Sequence, residues 1–128
     1  MPKPAVLVVE DEAMIAMLLE GIMSDAGYSV VGPVGRLASA LLAIGAGGTD
    51  AALLDVNVHG EDIFPAAQML MDRGVPFAFV TGYDGEFIPV QFEGRPVLNK
   101  PFRAAELLRV LRSLIGAGSP AGAEGGDG

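Results

Sequence analysis

Acidic, hydroxyl and ammonium side chains follow apolar segments at separate points along the chain. Glu10 and Asp11 come after the first apolar segment, and Asp55 comes after a later one. Thr81 and Lys100 end two further segments of the same kind. Carboxylate oxygens without thiolates favour a hard cation such as Mg²⁺, which often shares its coordination with a phosphate. An ammonium and a hydroxyl beside them could bind phosphoryl oxygens, so the set predicts a phosphoryl-transfer site with a carboxylate nucleophile.

Alternating strands and helices must bring these residues together, and such alternation is typical of an α/β domain with a largely parallel sheet. Strands buried on both faces read as short, continuous aliphatic segments. These segments lie at residues 5–9, 29–31, 51–54, 77–80 and 96–98, and the breaker-rich residues 32–35 follow the second. Helical periodicity covers residues 13–26, 37–44, 66–73 and 104–115. In open sheets of this kind the ligand site lies at the carboxyl ends of the strands.

Composition limits the domain count and the classes of partner. The chain has 128 residues, of which 51% are hydrophobic, enough for one domain with a buried core. Its net charge of −8 argues against binding to nucleic acid or to an anionic membrane. It has no cysteine and one histidine, which excludes thiolate metal sites and multi-histidine zinc sites. No segment has the length of a membrane span, so we expect a cytoplasmic protein.

Four segments resemble the receiver domains of two-component response regulators. They are VLVVEDE at 6–12, the strand that ends at Asp55, VTG at 80–82 and LNKPF at 98–102. The resemblance covers residues 4–115 and implies a flavodoxin-like (βα)5 fold, a parallel five-stranded sheet with helices on both faces. Gly and Pro between residues 83 and 95 make the fourth helix short or irregular. Residues 116–128 are rich in Gly and Ala and are predicted to form a disordered tail.

Residues 76–83 indicate which group of receiver domains the chain resembles. Their sequence, PFAFVTGY, is similar to the PFxFATGY signature of single-domain receivers that serve histidine kinases of the HWE family, with Val80 in place of the usual Ala. In receivers an aromatic residue usually precedes the lysine by three positions, and here that residue is Val97. Tyr83, two residues after Thr81, is therefore either a substitute for that switch aromatic or an exposed loop residue.

The resemblance implies a role for each acid and its neighbours. Asp55 corresponds to the phosphoacceptor, Asp11 to a direct Mg²⁺ ligand and Glu10 to a ligand acting through water. The backbone carbonyl of Asn57 would also bind the metal. His59 stands where other receivers often have a proline, and we interpret it as a solvated loop residue. Without the resemblance, the acids could be ordinary helix-terminal charges.

The residues expected to bind the phosphoryl group follow the last two strands. The resemblance implies that Thr81 and Lys100 hold the phosphoryl oxygens and that the small Gly82 leaves room for them. Taken alone, Thr81 is an ordinary strand-end residue and Lys100 an ordinary surface lysine. The prediction depends on their joint position at the sheet edge with the acids.

The first helix offers a candidate docking surface. Its predicted apolar face comprises Ile15, Leu18, Leu19, Ile22 and Ala26. The step of about 100° per residue places Met17 nearly opposite that face and Met14 on its flank. Exposed methionines form either an adaptable docking surface or scattered surface apolar residues. In receivers this helix faces the kinase, so the resemblance implies the four-helix dimerisation domain of an HWE-type kinase as partner.

These inferences predict a stand-alone response regulator that accepts a phosphoryl group from a histidine kinase onto Asp55 in the presence of Mg²⁺. It would catalyse only its own phosphorylation and dephosphorylation, and would signal by protein contact or by transfer to a phosphotransfer protein. One alternative is a phosphatase of the aspartyl-phosphate type, although Asn57 replaces the second acid of the Asp-x-Asp motif of such enzymes. The other is a pseudo-receiver that binds partners without phosphorylation. No G-x-G-x-x-G follows the first strand, which disfavours a dinucleotide-binding fold.

Overall fold

A parallel five-stranded sheet organises the part of the chain that the computed structural model describes, residues 3–82 and 87–115. Its strands are β1 (Ala5–Val9), β2 (Ser29–Val34), β3 (Ala51–Asp55), β4 (Phe77–Thr81) and β5 (Val97–Asn99). They lie in the order β2-β1-β3-β4-β5, and all four pairings are parallel. This is the predicted flavodoxin-like sheet, which is therefore confirmed. The predicted tail at 116–128 lies outside the described residues.

Helices cover both faces of the sheet, as predicted. They are α1 (Ala13–Asp25), α2 (Leu37–Ala46), α3 (Phe64–Asp72) and α4 (Ala104–Leu114). Between β4 and β5, the described residues form only a 3₁₀ helix, Val90–Phe92. The prediction of a short or irregular fourth helix is thus confirmed. Pro89 and Gly94 bracket the 3₁₀ helix and limit its length. No helix in the described ranges is both long and apolar enough to cross a membrane.

Two apolar layers, one on each face of the sheet, hold these helices in place. Because side chains alternate along a strand, Leu7 and Val9 of β1 enter one layer while Val6 and Val8 enter the other. The first layer packs α2 and α3 against the sheet, and the second packs α1 and α4. Burial of every residue in β3 and β4 explains why these strands read as continuous apolar segments.

Strand β2 is longer than the sequence predicts. The prediction ended it at residue 31, before the breakers Gly32 and Pro33, whereas the strand continues to Val34. The pairing with β1 shifts between Leu7 and Val9, so a bulge absorbs the extra residue. Gly32 has a φ of 93°, a conformation that glycine adopts readily. As β2 is an edge strand, Pro33 is tolerated there without loss of a ladder hydrogen bond.

The buried face of α1 also differs from the prediction. Leu19 is buried as predicted, and Ile15 and Ile22 pack half-buried against the same apolar layer. Ala16 and Met23 are also buried, whereas Leu18 is 47% exposed. Ala26 caps the helix and is exposed. The helix is therefore rotated toward the Ala16 side, because tertiary packing rather than average hydrophobicity selects the inner face. Met14 and Met17 are exposed, as predicted.

Phe92 in the 3₁₀ helix is expected to be essential for stability. Its buried ring lies 5.9 Å from that of Phe64, 6.0 Å from Phe77 and 5.8 Å from Phe79, measured between centroids. Phe92→Ala would leave a cavity and lower the free energy of unfolding by about 3–5 kcal/mol. Urea denaturation followed by circular dichroism measures this loss. The control is Phe87→Ala, whose exposed ring predicts a change within about 0.5 kcal/mol; equal losses would contradict the prediction.

Candidate active site

Three acids meet at the carboxyl edge of the sheet. Glu10 and Asp11 follow β1, and Asp55 ends β3, the strand paired with β1 in the register Val9–Leu54. One carboxylate oxygen from each of these three acids, here called the acidic triad, lies within 4.8 Å of the other two. Glu10 and Asp55 are buried, so their mutual repulsion is weakly screened. The arrangement requires a positive charge nearby.

Lys100 supplies that charge from the end of β5. Its Nζ lies 3.0 Å from Asp55 Oδ2, 3.0 Å from Glu10 Oε1 and 2.9 Å from Glu12 Oε1. Burial alone would lower the pKa of Lys100, but hydrogen bonds to Glu12, Asp55 and Glu10 outweigh it and hold this pKa above its ordinary value. Lys100 therefore stays charged, and a single ammonium balances several carboxylates.

The carboxylate of Asp55 is held through both oxygens. Oδ1 accepts the backbone N–H of Asn57 at 3.2 Å, and Oδ2 accepts a hydrogen bond from Lys100 Nζ at 3.0 Å. The side chain of Asn57 is used locally, because its Oδ1 accepts the N–H of Gly60 at 3.0 Å. The role of the Asn57 backbone carbonyl as a metal ligand stays a prediction. These two hydrogen bonds thus fix the orientation of the Asp55 carboxylate.

The carboxyl group of Glu10 titrates far from its ordinary range. Burial, and then its contact with Asp55, raises the pKa of Glu10 to about 7. Its Oε2 accepts two hydrogen bonds, from the N–H of Glu12 at 3.1 Å and from Lys100 Nζ at 3.2 Å. Its buried Oε1 accepts no directed hydrogen bond from the described residues, although Lys100 Nζ is an ion-pair neighbour. Oxygen ligands that together carry excess negative charge fit a hard cation such as Mg²⁺.

Thr81 and Gly82 lie at the same sheet edge. Thr81 is buried at the end of β4 and faces Asn99 of β5 in register. The backbone N–H of Lys100 donates to the Thr81 carbonyl at 2.8 Å, which ties the ends of the two strands together. Around Gly82, no described atom other than those of Gly82 and its chain neighbours lies within 4 Å of the position that a Cβ would take. Tyr83, the predicted switch residue, lies outside the described residues.

Two residues contact the site in ways that sequence reasoning missed. Glu12 binds Lys100, whereas its position in an acidic segment suggested only a helix-terminal charge. His59, interpreted as a solvated loop residue, donates its backbone N–H to Asp11 Oδ2 at 2.8 Å. Its Nδ1 also lies 2.6 Å from the carbonyl oxygen of Gly35. Both contacts join segments far apart in sequence, so no local pattern could reveal them.

Solved structures of other proteins share this fold, although the sequence matches no protein-family model and no curated protein. SdrG from Sphingomonas melonis Fr1 is 40% identical, with a TM-score of 0.80 over 89% of this chain and 98% of that one. The BeF3-activated conformation of SdrG from Pseudomonas melonis Fr1 is also 40% identical, with a TM-score of 0.71 over 87% and 98%. The receiver domain of the sensor histidine kinase PA1611 from Pseudomonas aeruginosa PAO1, with magnesium coordinated in its active-site cleft, is 26% identical. Its TM-score is 0.77 over 88% of this chain and 97% of that one.

Glu10 is expected to make the stability of the metal-free protein depend on pH. Its folded-state pKa of about 7 exceeds the ordinary value of 4.5, so the folded state binds the extra proton between these two values. The free energy of unfolding therefore falls as pH rises through that window. Urea denaturation in the presence of a chelator measures the fall.

Glu10→Gln is the matched control for this titration, because glutamine cannot ionise. We expect the unfolding free energy of the variant to decrease less than that of the wild type between pH 4.5 and about 7. An identical pH dependence of the two proteins would show that Glu10 does not carry the effect.

Proposed function

This chain belongs to the receiver domains of response regulators, and we propose that it accepts a phosphoryl group from a histidine kinase on Asp55. The observation that carries the proposal is the position of Lys100 Nζ, 3.0 Å from Asp55 Oδ2, beside the other two acids of the acidic triad. An oriented carboxylate, a cation site and a fixed ammonium are the parts that phosphoryl transfer requires. The BeF3-activated conformation of SdrG supports the same chemistry.

The transfer itself needs little from the protein beyond orientation and charge. A carboxylate oxygen of Asp55 forms the new O–P bond while the N–P bond of the kinase phosphohistidine breaks, and the imidazole nitrogen keeps the bonding electron pair. The N–H of Asn57 holds one Asp55 oxygen, which limits the rotation of the carboxylate. The Lys100 ammonium and the Thr81 hydroxyl then bind phosphoryl oxygens, with space beside Gly82.

Magnesium is the cofactor that the acidic triad fits. Asp11 and Asp55 would bind it directly, Glu10 through water, and Asn57 through its backbone carbonyl. Bound there, the ion supplies positive charge to the phosphoryl oxygens as they approach the acids. The magnesium in the cleft of the PA1611 receiver domain, which is 26% identical, supports this assignment.

Phosphorylation changes the charges that hold Lys100. In the structure its ammonium binds Glu12, Glu10 and Asp55 at once. A phosphoryl group on Asp55 offers Lys100 a stronger acceptor, so the contact with the exposed Glu12 is the one expected to break. Movement of Lys100 and Thr81 toward the phosphoryl group would then bias the loop after β4 between two arrangements. Tyr83 in that loop is the proposed reporter of the change.

Labelling by a small phosphodonor tests the proposal directly. With acetyl phosphate and Mg²⁺, intact-mass spectrometry should show one phosphoryl group per chain, and chelation of Mg²⁺ should abolish it. Asp55→Asn should remain unlabelled, because its amide is not a nucleophile. Asp62→Asn is the control, because Asp62 is an exposed acid between β3 and α3. This variant should be labelled like the wild type.

The other outcomes of this experiment identify the alternative functions. No labelling of the wild type, together with no response to beryllofluoride and Mg²⁺, would indicate a pseudo-receiver. Continuous hydrolysis of a small phosphate ester over many turnovers would indicate a phosphatase of the aspartyl-phosphate type. Labelling that persists in Asp55→Asn would contradict Asp55 as the acceptor.

The proposed partner is the dimerisation domain of an HWE-type kinase, docked on α1. Met17→Ser should slow phosphotransfer from such a kinase by about tenfold, because it removes an adaptable apolar contact, and leave acetyl phosphate labelling unchanged. Leu42→Ser on α2 is the control, since Leu42 is 77% exposed and Met17 is 69% exposed. Equal rates for the two variants would exclude Met17 from the docking surface, and Met14 can be tested in the same way.

A further inference from the structure

A tight hairpin lies between β3 and α3, beside the site. Asn57–Val58 pairs in antiparallel fashion with Glu61–Asp62, which leaves His59 and Gly60 as a two-residue turn. Their φ angles are 50° and 78°, and positive φ at both central positions is the mark of a type I′ turn. Residues other than glycine are uncommon in this left-handed conformation, and here contacts with other loops stabilise it.

His59 makes those contacts with two other loops. Its backbone N–H donates to Asp11 Oδ2 at 2.8 Å, across 48 residues of sequence. Its Nδ1 lies 2.6 Å from the carbonyl oxygen of Gly35, and because a carbonyl can only accept, Nδ1 carries the hydrogen. One residue thereby links the loops that follow β1, β2 and β3.

We propose that His59 is a positioning residue for Asp11, and this inference rests on the proposed magnesium-binding function. A carboxylate that accepts an N–H at one oxygen loses rotational freedom and presents its other oxygen to a cation. Hydrogen-bond partners of metal-binding carboxylates commonly tune affinity in this way. The assignment requires no charge on the histidine ring.

The ring contact makes the effect depend on the side chain at position 59. Any residue except proline could offer a backbone N–H at position 59, but the turn must also stay at the correct distance from Asp11. The hydrogen bond from Nδ1 to Gly35 anchors the turn to the loop after β2, which itself packs beside Asp11. The position that a Cβ on Gly35 would take lies 3.6 Å from Asp11 Cα and 3.6 Å from His59 Cε1.

Two substitutions separate the ring contact from the turn. Glycine and asparagine both tolerate positive φ and keep the backbone N–H. Asparagine also places an amide donor near the position of Nδ1, whereas glycine has none. His59→Gly should weaken binding of Mg²⁺ alone by about tenfold, and His59→Asn should stay within about twofold of the wild type.

Nuclear magnetic resonance of the ¹⁵N-labelled protein provides both measurements needed. Titration with magnesium chloride, without a phosphodonor, gives the dissociation constants. Hydrogen exchange of the residue-59 amide in the metal-free protein reports its hydrogen bond to Asp11, and this amide should exchange faster in His59→Gly than in His59→Asn. Thermal unfolding of both variants confirms that the comparison is made between folded proteins.

The results distinguish this inference from the proposed function. Unchanged Mg²⁺ affinity in His59→Gly, or equal weakening in both variants, overturns the role of the His59 ring. If the wild type is nevertheless labelled by acetyl phosphate on Asp55, the proposed function stands alone. If the wild type is not labelled but His59→Gly weakens Mg²⁺ binding and His59→Asn restores it, the inference stands and phosphorylation fails.

Discussion

Electrostatic repulsion among the three acids at one sheet edge is the constraint on which the site depends. Glu10 and Asp55 are buried within ligand distance of each other, where water screens their charges poorly. Lys100 offsets part of this repulsion, while burial, and then the contact with Asp55, raises the pKa of Glu10. The repulsion among the clustered carboxylates favours binding of a divalent cation, and the same repulsion destabilises the metal-free fold. The acids that allow the site to bind a cation therefore lower the stability of the metal-free protein.

The sheet keeps the acids close together despite their repulsion, because the strands that carry them are held in fixed positions. Both β1 and β3 are central strands, covered by helices on both faces and hydrogen-bonded on both edges. Their ends can therefore hold charged groups close together without moving apart. The loops that follow, by contrast, lack such support, and contacts such as that of His59 with Gly35 provide it locally. Rigid strands bring the acids together, and loop contacts fix their orientation.

Sequence patterns predicted those parts of the molecule that depend on local chemistry. Continuous aliphatic segments identified the central strands, because strands buried on both faces are apolar along their whole length. The polar residues after these strands identified the sheet-edge cluster, because the carboxyl ends of parallel strands lie at the same edge of the sheet. The patterns failed where tertiary packing decides. Leu18 is apolar but lies off the buried face of α1, and β2 continues through Gly32 and Pro33 because an edge strand tolerates a bulge. His59 has neighbours 24 and 48 residues away, beyond any local pattern.

The contact between Glu12 and Lys100 is the part of the site that a charge change at Asp55 would alter first. Of the three carboxylates that bind Lys100, Glu12 is the most exposed, so water screens its attraction most and it is the least costly to release. Glu10 and Asp55 hold Lys100 from inside the site. A new anionic group at Asp55 would therefore draw Lys100 away from the surface rather than out of the pocket. Since the N–H of Lys100 is bonded to the Thr81 carbonyl, that displacement acts on the end of β4, where the loop leading toward β5 begins.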